Sequence, residues 1–272
     1  MKGEAFASRV CISMAVDYEY FKKEILKMTS IDLNSYKEKQ MKRRIDNLIM
    51  KNKITGYDNY VAALKSQKPL FDEFINYITI NVSEFYRNPD QWEYMDKTVI
   101  PALVKKFGNR LKIWSAACST GDEPYSLVMA LSKHVPLSNI MITATDLDKT
   151  VIAKAKVGLY DAKSIANVPD EFKKKYFTQV GPSYKISDEI KAHVKFSEHN
   201  LLKDRYDTNY DMIVCRNVLI YFTDEAKDQV FRKFFDSIKP GGFLFIGSTE
   251  QIVNYKDMGY TRENSFYYGK PQ

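Results

Sequence analysis

The first residues that could do chemistry lie in the segment from Ile113 to Ser126, IWSAACSTGDEPYS. An apolar run passes into small residues, a glycine, two carboxylates and a proline, a pattern typical of a buried strand that turns into a helix. Phosphates and nucleotides usually bind at such turns, but the dinucleotide fingerprint requires several glycines and only Gly121 is present. Asp122 and Glu123 also bring negative charge where a pyrophosphate needs backbone donors. The segment therefore predicts a ligand other than a pyrophosphate.

Further polar residues follow the other predicted strands. Asp146 closes ITATD, Asn200 closes VKFSEHN, and Arg216 with Asn217 closes VCRN. In an open parallel sheet, ligands bind beyond the carboxyl ends of the strands, so these residues and Glu123 are expected to line one crevice. Taken singly, such residues are more often helix caps or turn formers. The prediction of a binding site therefore depends on their occurring together.

The spacing of two of these residues indicates the class of ligand. Asp146 follows Gly121 by 146 − 121 = 25 residues, near the spacing at which an acidic residue on the second strand accepts hydrogen bonds from ribose hydroxyls. The carboxylate of Glu123 favours a cationic group where a dinucleotide carries phosphate. S-adenosylmethionine has a ribose, an ammonium group and a sulfonium group, and it is the cofactor we predict. On these residues alone, a nucleotide fold without activity stays possible.

Two kinds of element must position these residues. Residues 17–88 show helical periodicity, few glycines and no clear strand, which predicts an all-α N-terminal domain. In residues 89–272, short apolar runs alternate with amphipathic stretches, which predicts an α/β fold with a mostly parallel sheet and helices on both faces. The segment at about 161–192 breaks this alternation and is predicted to be a small β-rich inserted subdomain. Residues 1–16 are expected to form a flexible tail.

Composition sets the broad class of the protein. With 272 residues, of which 44% are hydrophobic, the chain can bury a sizeable core in one large or two modest domains. The formal net charge of +7 favours an acidic partner but falls short of a nucleic-acid-binding composition. Cys11, Cys118 and Cys215 are too far apart for a disulfide framework or a zinc site, and no apolar run has the length of a membrane span. We therefore predict a cytoplasmic protein without a metal.

Five segments in order carry a family resemblance: NVSEFYRN at 81–88, WSAACSTGDEPYS at 114–126, ATDLD at 144–148, HNLL at 199–202 and CRNVLIYF at 215–222. Together they resemble the bacterial chemotaxis receptor glutamate O-methyltransferases, over about Tyr18 to Tyr268. The resemblance implies a Rossmann-like class I methyltransferase sheet, preceded by the all-α domain and interrupted by the insertion. It also implies S-adenosylmethionine as the methyl donor, with S-adenosylhomocysteine as product, and receptor glutamates as the acceptors.

The resemblance also implies roles for individual residues. The matched positions are Asn81, Ser83 and Arg87, which fold over the cofactor, Glu123 as its acid, Asp146 as the ribose ligand, Asn200 and Leu201 beside adenine, and Arg216 and Asn217 beside the methionine moiety. Arg87 could clasp the methionine carboxylate in a bidentate fashion, although a surface salt bridge is the ordinary alternative. Two positions depart from the family pattern: Ser83 stands where threonine is also common, and Asp122 where a second glutamate is often found.

The chemistry of the acceptor predicts a site without a general base. A glutamate side chain has a reference pKa of about 4.3, so it is already ionised at neutral pH. The enzyme must instead align the reacting atoms and exclude water. Tyr221, together with Arg87, is predicted to do this catalytic positioning, although a tyrosine at such a place is otherwise a core residue with a satisfied hydroxyl. The three histidines of the chain are read as ordinary packing or surface residues.

A basic amphipathic helix is predicted in SYKEKQMKRRIDNLIMKNK. The cations Lys39, Lys42, Arg43 and Arg44 crowd faces other than the apolar one. Such a helix could contact nucleic acid, a membrane or an acidic protein, and is most often a solvated face. The resemblance implies the helical cytoplasmic bundle of a methyl-accepting chemoreceptor, with neither nucleic acid nor membrane insertion.

The short turn in the insertion predicts how the enzyme recognises its receptor. Some family members use this subdomain to hold a peptide at the receptor's C-terminus, and the turn in QVGPSYK is short for that task, so we predict an enzyme independent of such a tether. Two other functions stay open: a methyltransferase that acts on another acceptor, such as RNA or a small molecule, and a binding module that holds the cofactor without turnover.

Overall fold

A computed structural model of the chain describes residues 18–272. They divide into two compact units. The first comprises the described residues up to Ile80 together with Tyr221–Ala226, and the second comprises Asn81–Ile220 and Lys227–Gln272. The predicted tail at residues 1–16, with Cys11, lies outside the described residues. Within residues 18–272, no helix has the length and apolar character needed to cross a bilayer.

The first unit is helical. Its elements are α1 over 18–29, a 3-10 turn at Leu33–Ser35, α2 (Glu38–Lys51), α3 (Tyr57–Ser66) and α4 (Lys68–Thr79). Helix α2 forms because its apolar residues recur three and four positions apart and so share one face; Met41, Ile45 and Leu48 are all buried there. Aromatic rings fill the centre, where Phe21 packs edge-on against Phe74 with ring centroids 6.0 Å apart.

A late segment of the chain completes this helical unit. The backbone N–H of Lys37 donates to the carbonyl of Tyr221 at 2.9 Å, and the N–H of Thr223 donates to the carbonyl of Ser35 at 2.9 Å. The rings of Tyr36 and Phe222 meet edge to face, with centroids 5.0 Å apart. The helical unit is therefore built from two stretches that are far apart in the sequence.

The second unit contains a seven-stranded sheet. Its strands are β1 (Lys112–Ser115), β2 (Met141–Asp146), β6 (Val194–Glu198), β7 (Tyr210–Cys215), β8 (Ile238–Ile246), β9 (Thr261–Arg262) and β10 (Tyr267–Gly269). The order across the sheet is β6-β2-β1-β7-β8-β10-β9. The first five of these strands are parallel, whereas β10 runs antiparallel to β8 and β9. This sheet confirms the predicted Rossmann-like fold class.

Helices connect and cover these strands. They are α5 (Pro89–Tyr94), which continues through a π-helical turn at Met95–Val99 into α6 (Ile100–Phe107), then α7 (Asp122–Leu131), α8 (Lys149–Val157), α9 (Asp170–Tyr176), α10 (Asp188–Lys191) and α11 (Asp224–Ser237), with 3-10 turns at Leu137–Asn139 and Leu219–Tyr221. Helix α7 is buried along its whole length. Because α7 is the first helix after β1, its buried first turn lies at the carboxyl edge of the sheet.

The predicted β-rich insertion is present. Strands β3 (Leu159–Asp161), β4 (Phe177–Val180) and β5 (Ser183–Ile186) form an antiparallel sheet in the order β3-β5-β4. Val180 pairs with Ser183, so only Gly181 and Pro182 lie in the loop between β4 and β5. Gly181 has a φ of 58°, a left-handed conformation that glycine adopts without strain.

Candidate functional site

The carboxyl ends of three neighbouring parallel strands define the candidate site. Ser115 at the end of β1 is paired with Ala144 on β2 and with Val214 on β7. Side chains that follow these strands therefore lie at the same edge of the sheet. The predicted residues of the second unit fall at this edge or on the segment 81–88 that precedes the sheet.

Glu123, in the first turn of α7, is buried and already paired. The Ser115 hydroxyl donates to Glu123 Oε1 at 2.8 Å, and Arg216 Nη1 lies 3.7 Å from Oε2. Burial raises the pKa of Glu123, while the Arg216 charge and the Ser115 hydrogen bond oppose that rise. The carboxylate is thus held in a fixed orientation in a poorly hydrated place, where it can face a cationic group.

Asp146, the last residue of β2, binds the backbone of the small-residue turn. Its Oδ2 accepts the N–H of Ser119 at 2.8 Å, and its Oδ1 accepts the N–H of Asp148 at 3.0 Å. Burial raises the pKa of Asp146, and these backbone donors counteract the rise. Since each carboxylate oxygen has two lone pairs, acceptor capacity remains for the hydroxyls of a ribose.

Asp122, the first residue of α7, is another buried carboxylate with a raised pKa. Its Oδ2 accepts a hydrogen bond from the Thr120 hydroxyl, whereas its Oδ1 is buried and has no hydrogen-bond partner among residues 18–272. Burial raises the pKa of Asp122 to about 6, although hydrogen bonds from Thr120 and Ser83 oppose the rise. Sequence reasoning noted the negative charge of Asp122 and its departure from the family pattern, but it did not predict this perturbation.

The segment 81–88 lies against the same edge of the sheet. Asn81 Nδ2 donates to Asp148 Oδ2 at 2.9 Å, beside the N-cap of α8. The half-exposed Arg87 donates from Nη1 to the carbonyl of Val82 at 3.3 Å. Ser83 contacts Asp122 in the turn after β1, so Asn81 and Ser83 reach the residues that follow two neighbouring strands, whereas the Arg87 bond lies within the segment itself.

Arg216, which follows β7, is buried and binds residues of the segment 81–88 and of α5. Its Nη2 donates to the carbonyl of Arg87 at 2.7 Å, to Asn88 Oδ1 at 3.1 Å and to Gln91 Oε1 at 2.8 Å. The guanidinium carbon lies 4.6 Å from the centre of the Phe245 ring, a cation–π geometry. Arg216 therefore connects α5, the segment 81–88 and the acid at Glu123.

Sequence reasoning missed Glu250, which holds the loop that contains Asn217. The buried Glu250 carboxylate accepts the N–H groups of Asn217, Val218, Leu219 and Gly247. The only signal in the sequence was a polar residue soon after the buried strand β8. Nothing in the spacing of Glu250 from CRNVLIYF predicts that the two segments meet.

Asn200 and Leu201 follow β6 at the far side of the candidate site. Asn200 Oδ1 accepts the N–H groups of Leu202 at 3.0 Å and Lys203 at 3.3 Å, so this side chain closes a turn. Leu201 is buried, and its carbonyl accepts the Tyr206 hydroxyl at 2.7 Å. An apolar Leu201 side chain on a turn of fixed shape suits contact with a flat base.

Tyr221 and the four predicted receptor-binding cations belong to the helical unit. That unit has a cavity of about 250 Å³ lined by Lys37, Gln40, Met41, Arg43, Arg44, Ile80 and Tyr221. Tyr221 is half-buried, so it differs from the fully buried tyrosines of this unit, such as Tyr60. The structure thus places Tyr221 on a cavity wall next to cationic side chains.

The four cations of α2 fall into two pairs. Lys42 lies 3.2 Å from the Asp46 carboxylate, and Arg44 donates to the carbonyl of Tyr77 and stacks on its ring at 4.5 Å. Lys39 and Arg43 are exposed, and neither forms an ion pair within the described part of the chain. Lys42 and Arg44 are therefore engaged within the helical unit, whereas Lys39 and Arg43 are exposed cations.

The predicted residues fit the cofactor inferred from the sequence. In the second unit, six buried side-chain polar atoms lack a hydrogen-bond partner within residues 18–272. Four of them belong to the turn after β1 or to the two residues after β7: Ser119 Oγ, Asp122 Oδ1, Arg216 Nε and Asn217 Oδ1. Buried polar groups are normally satisfied, so unpaired donors and acceptors near Glu123 and Asp146 suit a ligand with hydroxyl, ammonium and carboxylate groups. Among the described residues, no group of three or more His, Cys, Asp or Glu residues could hold a metal ion.

Comparisons with known proteins match most of the chain. The family model described as "CheR methyltransferase, SAM binding domain" matches residues 81–267, and "CheR methyltransferase, all-alpha domain" matches residues 16–79. A chemotaxis protein methyltransferase of Listeria innocua is 42% identical over 254 residues, covering 93% of this chain and 97% of that protein. Chemotaxis protein methyltransferase 1 of Pseudomonas aeruginosa is 34% identical, covering 89% and 92%. The solved N-methyltransferase NodS of Bradyrhizobium japonicum covers 69% of this chain and 100% of its own, at 14% identity and a TM-score of 0.39, which is too low to support a conclusion.

Proposed function

The chain belongs to the CheR methyltransferase family, and from this membership we propose that it transfers a methyl group from S-adenosylmethionine to glutamate side chains of chemoreceptors. The family membership confirms the resemblance seen in the five motifs. The observation that carries the proposal is the 42% identity to a chemotaxis protein methyltransferase over 93% of the chain, which includes both domains. The product is a glutamyl methyl ester.

The residues at the sheet edge support binding of the cofactor, which supplies an electrophilic methyl group when bound. We assign the ribose hydroxyls to Asp146 and the ammonium group to Glu123, because both carboxylates are buried, oriented and ionisable. Arg87 is assigned to the methionine carboxylate. The charge of Arg216 opposes the rise in the Glu123 pKa that burial causes.

The acceptor requires positioning rather than deprotonation. A glutamate carboxylate at neutral pH is already a nucleophile, so the protein has to orient it and exclude water. We assign this positioning to Tyr221, whose cavity wall carries Arg43 and Arg44 and so attracts an anionic side chain. In this role Tyr221 acts through its hydroxyl.

The partner we propose is the acidic helical bundle of a chemoreceptor in the cytoplasm. The exposed cations Lys39 and Arg43 on α2 favour an acidic surface through long-range attraction. Cys118 and Cys215 are free and buried, as in proteins of reducing compartments. Recognition without a C-terminal tether is supported by the two-residue loop between β4 and β5.

The test is methyl transfer from radiolabelled S-adenosylmethionine to membranes that contain the receptors. We expect label in the receptor band, and loss of that label as methanol after mild base, because esters hydrolyse and N-methyl groups do not. Tyr221→Phe is expected to lower the rate while cofactor affinity stays the same. Base-stable label, or label in RNA or small molecules, would indicate a different acceptor. Cofactor binding with no transfer to any acceptor would indicate a binding module.

A further inference from the structure

Four backbone N–H groups converge on one buried carboxylate. Glu250 Oε2 accepts from Gly247 at 2.7 Å and Asn217 at 2.8 Å, and Oε1 accepts from Val218 at 3.1 Å and Leu219 at 2.8 Å. The donors come from two strand ends, since Gly247 directly follows β8 and the other three follow β7. Glu250 therefore connects two loops at the carboxyl edge of the sheet.

The hydrogen-bonding capacity of Glu250 is used by these backbone groups. An ionised carboxylate offers about four lone-pair sites, and four donors are present. Hydrogen bonds to a charged acceptor are about twice as strong as neutral ones. Glu250 is 8% exposed, so water has little access to replace it. A side chain in this state has no capacity left for a ligand, and its effect must pass through the loop that it binds.

A second constraint acts on the same loop. Asn217 has a φ of 60°, the left-handed region that asparagine tolerates better than most residues. A Cβ on Gly247 would lie 2.7 Å from Asn217 N and 2.8 Å from Asn217 Cγ. Position 247 must therefore be glycine for Asn217 to keep its place. The loop after β7 is thus held in two ways: its N–H groups bind the Glu250 carboxylate, and Asn217 packs closely against Gly247.

We propose that Glu250 is a positioning residue for the cofactor-binding loop at residues 216–219. By binding three consecutive N–H groups of this loop, it fixes Asn217 in its left-handed conformation and keeps Arg216 beside Glu123. It also leaves the buried Oδ1 of Asn217, which has no partner among residues 18–272, available to a ligand. The proposal rests on the proposed function, because that function makes this loop part of the cofactor site.

The first test is Glu250→Gln, which keeps the shape of the side chain but places a donor against backbone donors. Without cofactor, we expect amide hydrogen exchange at residues 217–219 and 247 to accelerate about tenfold or more. The KM for S-adenosylmethionine and the Kd for S-adenosylhomocysteine are expected to rise about tenfold, while kcat at saturating cofactor stays within about threefold. The matched control is Glu189→Gln, an exposed glutamate on α10, which should change none of these quantities.

Gly247→Ala displaces the same loop without altering the carboxylate, so it serves if Glu250→Gln does not fold. Gly247→Ala should also accelerate amide hydrogen exchange at residues 217–219 and raise the KM for S-adenosylmethionine and the Kd for S-adenosylhomocysteine. Uniformly faster exchange with unchanged cofactor affinity would overturn the proposal, since it would indicate a general loss of stability. Wild-type protein that binds cofactor but methylates no receptor would contradict the proposed function alone, because the exchange and binding measurements do not depend on the acceptor.

Discussion

At the carboxyl end of β2, Asp146 combines a structural role with a proposed ligand role. Asp146→Ala is expected to weaken cofactor binding by roughly 1.5 to 3 kcal/mol, because the ribose hydroxyls lose a charged acceptor and the N–H groups of Ser119 and Asp148 lose theirs. Isothermal titration with S-adenosylhomocysteine measures the loss. Asp257→Ala, at an exposed aspartate, is the control. Unchanged affinity in a folded Asp146→Ala protein would remove Asp146 from the site.

Asp122 predicts a pH dependence of stability. Its folded-state pKa of about 6 lies above the value of about 3.9 for an unfolded aspartate, so its contribution to stability is full below pH 4 and is lost as the pH rises through 6. Asp122→Asn removes this loss. Between pH 4.5 and 7.5, we expect the free energy of unfolding of the variant to gain about 2 kcal/mol relative to the wild type. Urea denaturation at the two pH values measures this difference, and parallel pH profiles would contradict the assignment.

Sequence reasoning reached some features of the candidate site and not others, and the difference is physical. Asp146 and Glu123 were predicted because Asp146 closes one apolar run and Glu123 lies in the turn and helix start that follow another, and local order along the chain determines which edge of a sheet they reach. Glu250 was not predicted, because three of its four partners lie 31 to 33 residues earlier in the sequence and meet it only when β7 and β8 pair. The Asp122 pKa likewise depends on burial, which no local pattern gives.

Among the elements, helix α2 offers a test of receptor binding. Reversing Lys39 and Arg43 together to glutamate should lower the rate of receptor methylation about tenfold at low salt, with a smaller effect at high salt, because both charges are exposed and screened. Cofactor affinity should not change. The control is the reversal of Lys23 and Lys53, two other exposed lysines of the helical unit. Equal impairment by the control pair would indicate a general charge effect rather than a specific surface.

The other two cations of α2 act within the helical unit. Arg44 donates to the Tyr77 carbonyl and stacks on its ring, so Arg44→Ala would lose stability together with charge. The sequence pattern did not distinguish among the four cations. Helical periodicity predicts which face of α2 a side chain lies on, but not which residues of other elements it contacts. A charge-reversal experiment that includes Arg44 would therefore mix the two effects.

At the scale of the whole molecule, the insertion provides a test of receptor recognition. The α/β class, the all-α domain and the β-rich insertion were all predicted from periodicity and resemblance, and the structure confirms them. Tether independence stays a prediction. Strands β3 and β4 each pair only with β5 among the described strands, so a peptide strand would have to add along one of these two edges.

We expect methylation to survive removal of the receptor's C-terminal peptide. Rates with full-length and truncated receptors should agree within about twofold, since recognition then depends on α2 and the site itself. Titration of the enzyme with the free peptide is the second measurement. Micromolar binding of that peptide, together with a slower rate on truncated receptor, would show that the insertion holds a tether.

The two-segment construction of the helical unit has a consequence for biosynthesis. Residues 18–80 leave the ribosome early, but the partners of Ser35, Tyr36 and Lys37 lie in Tyr221–Ala226, which begins 221 − 37 = 184 residues after Lys37. The helices can begin to pack as they emerge, yet this unit cannot acquire its last strand bridge and aromatic pair until most of the sheet has been made. Release of a nascent chain that stops before residue 221 would therefore yield a helical unit lacking part of its own fold.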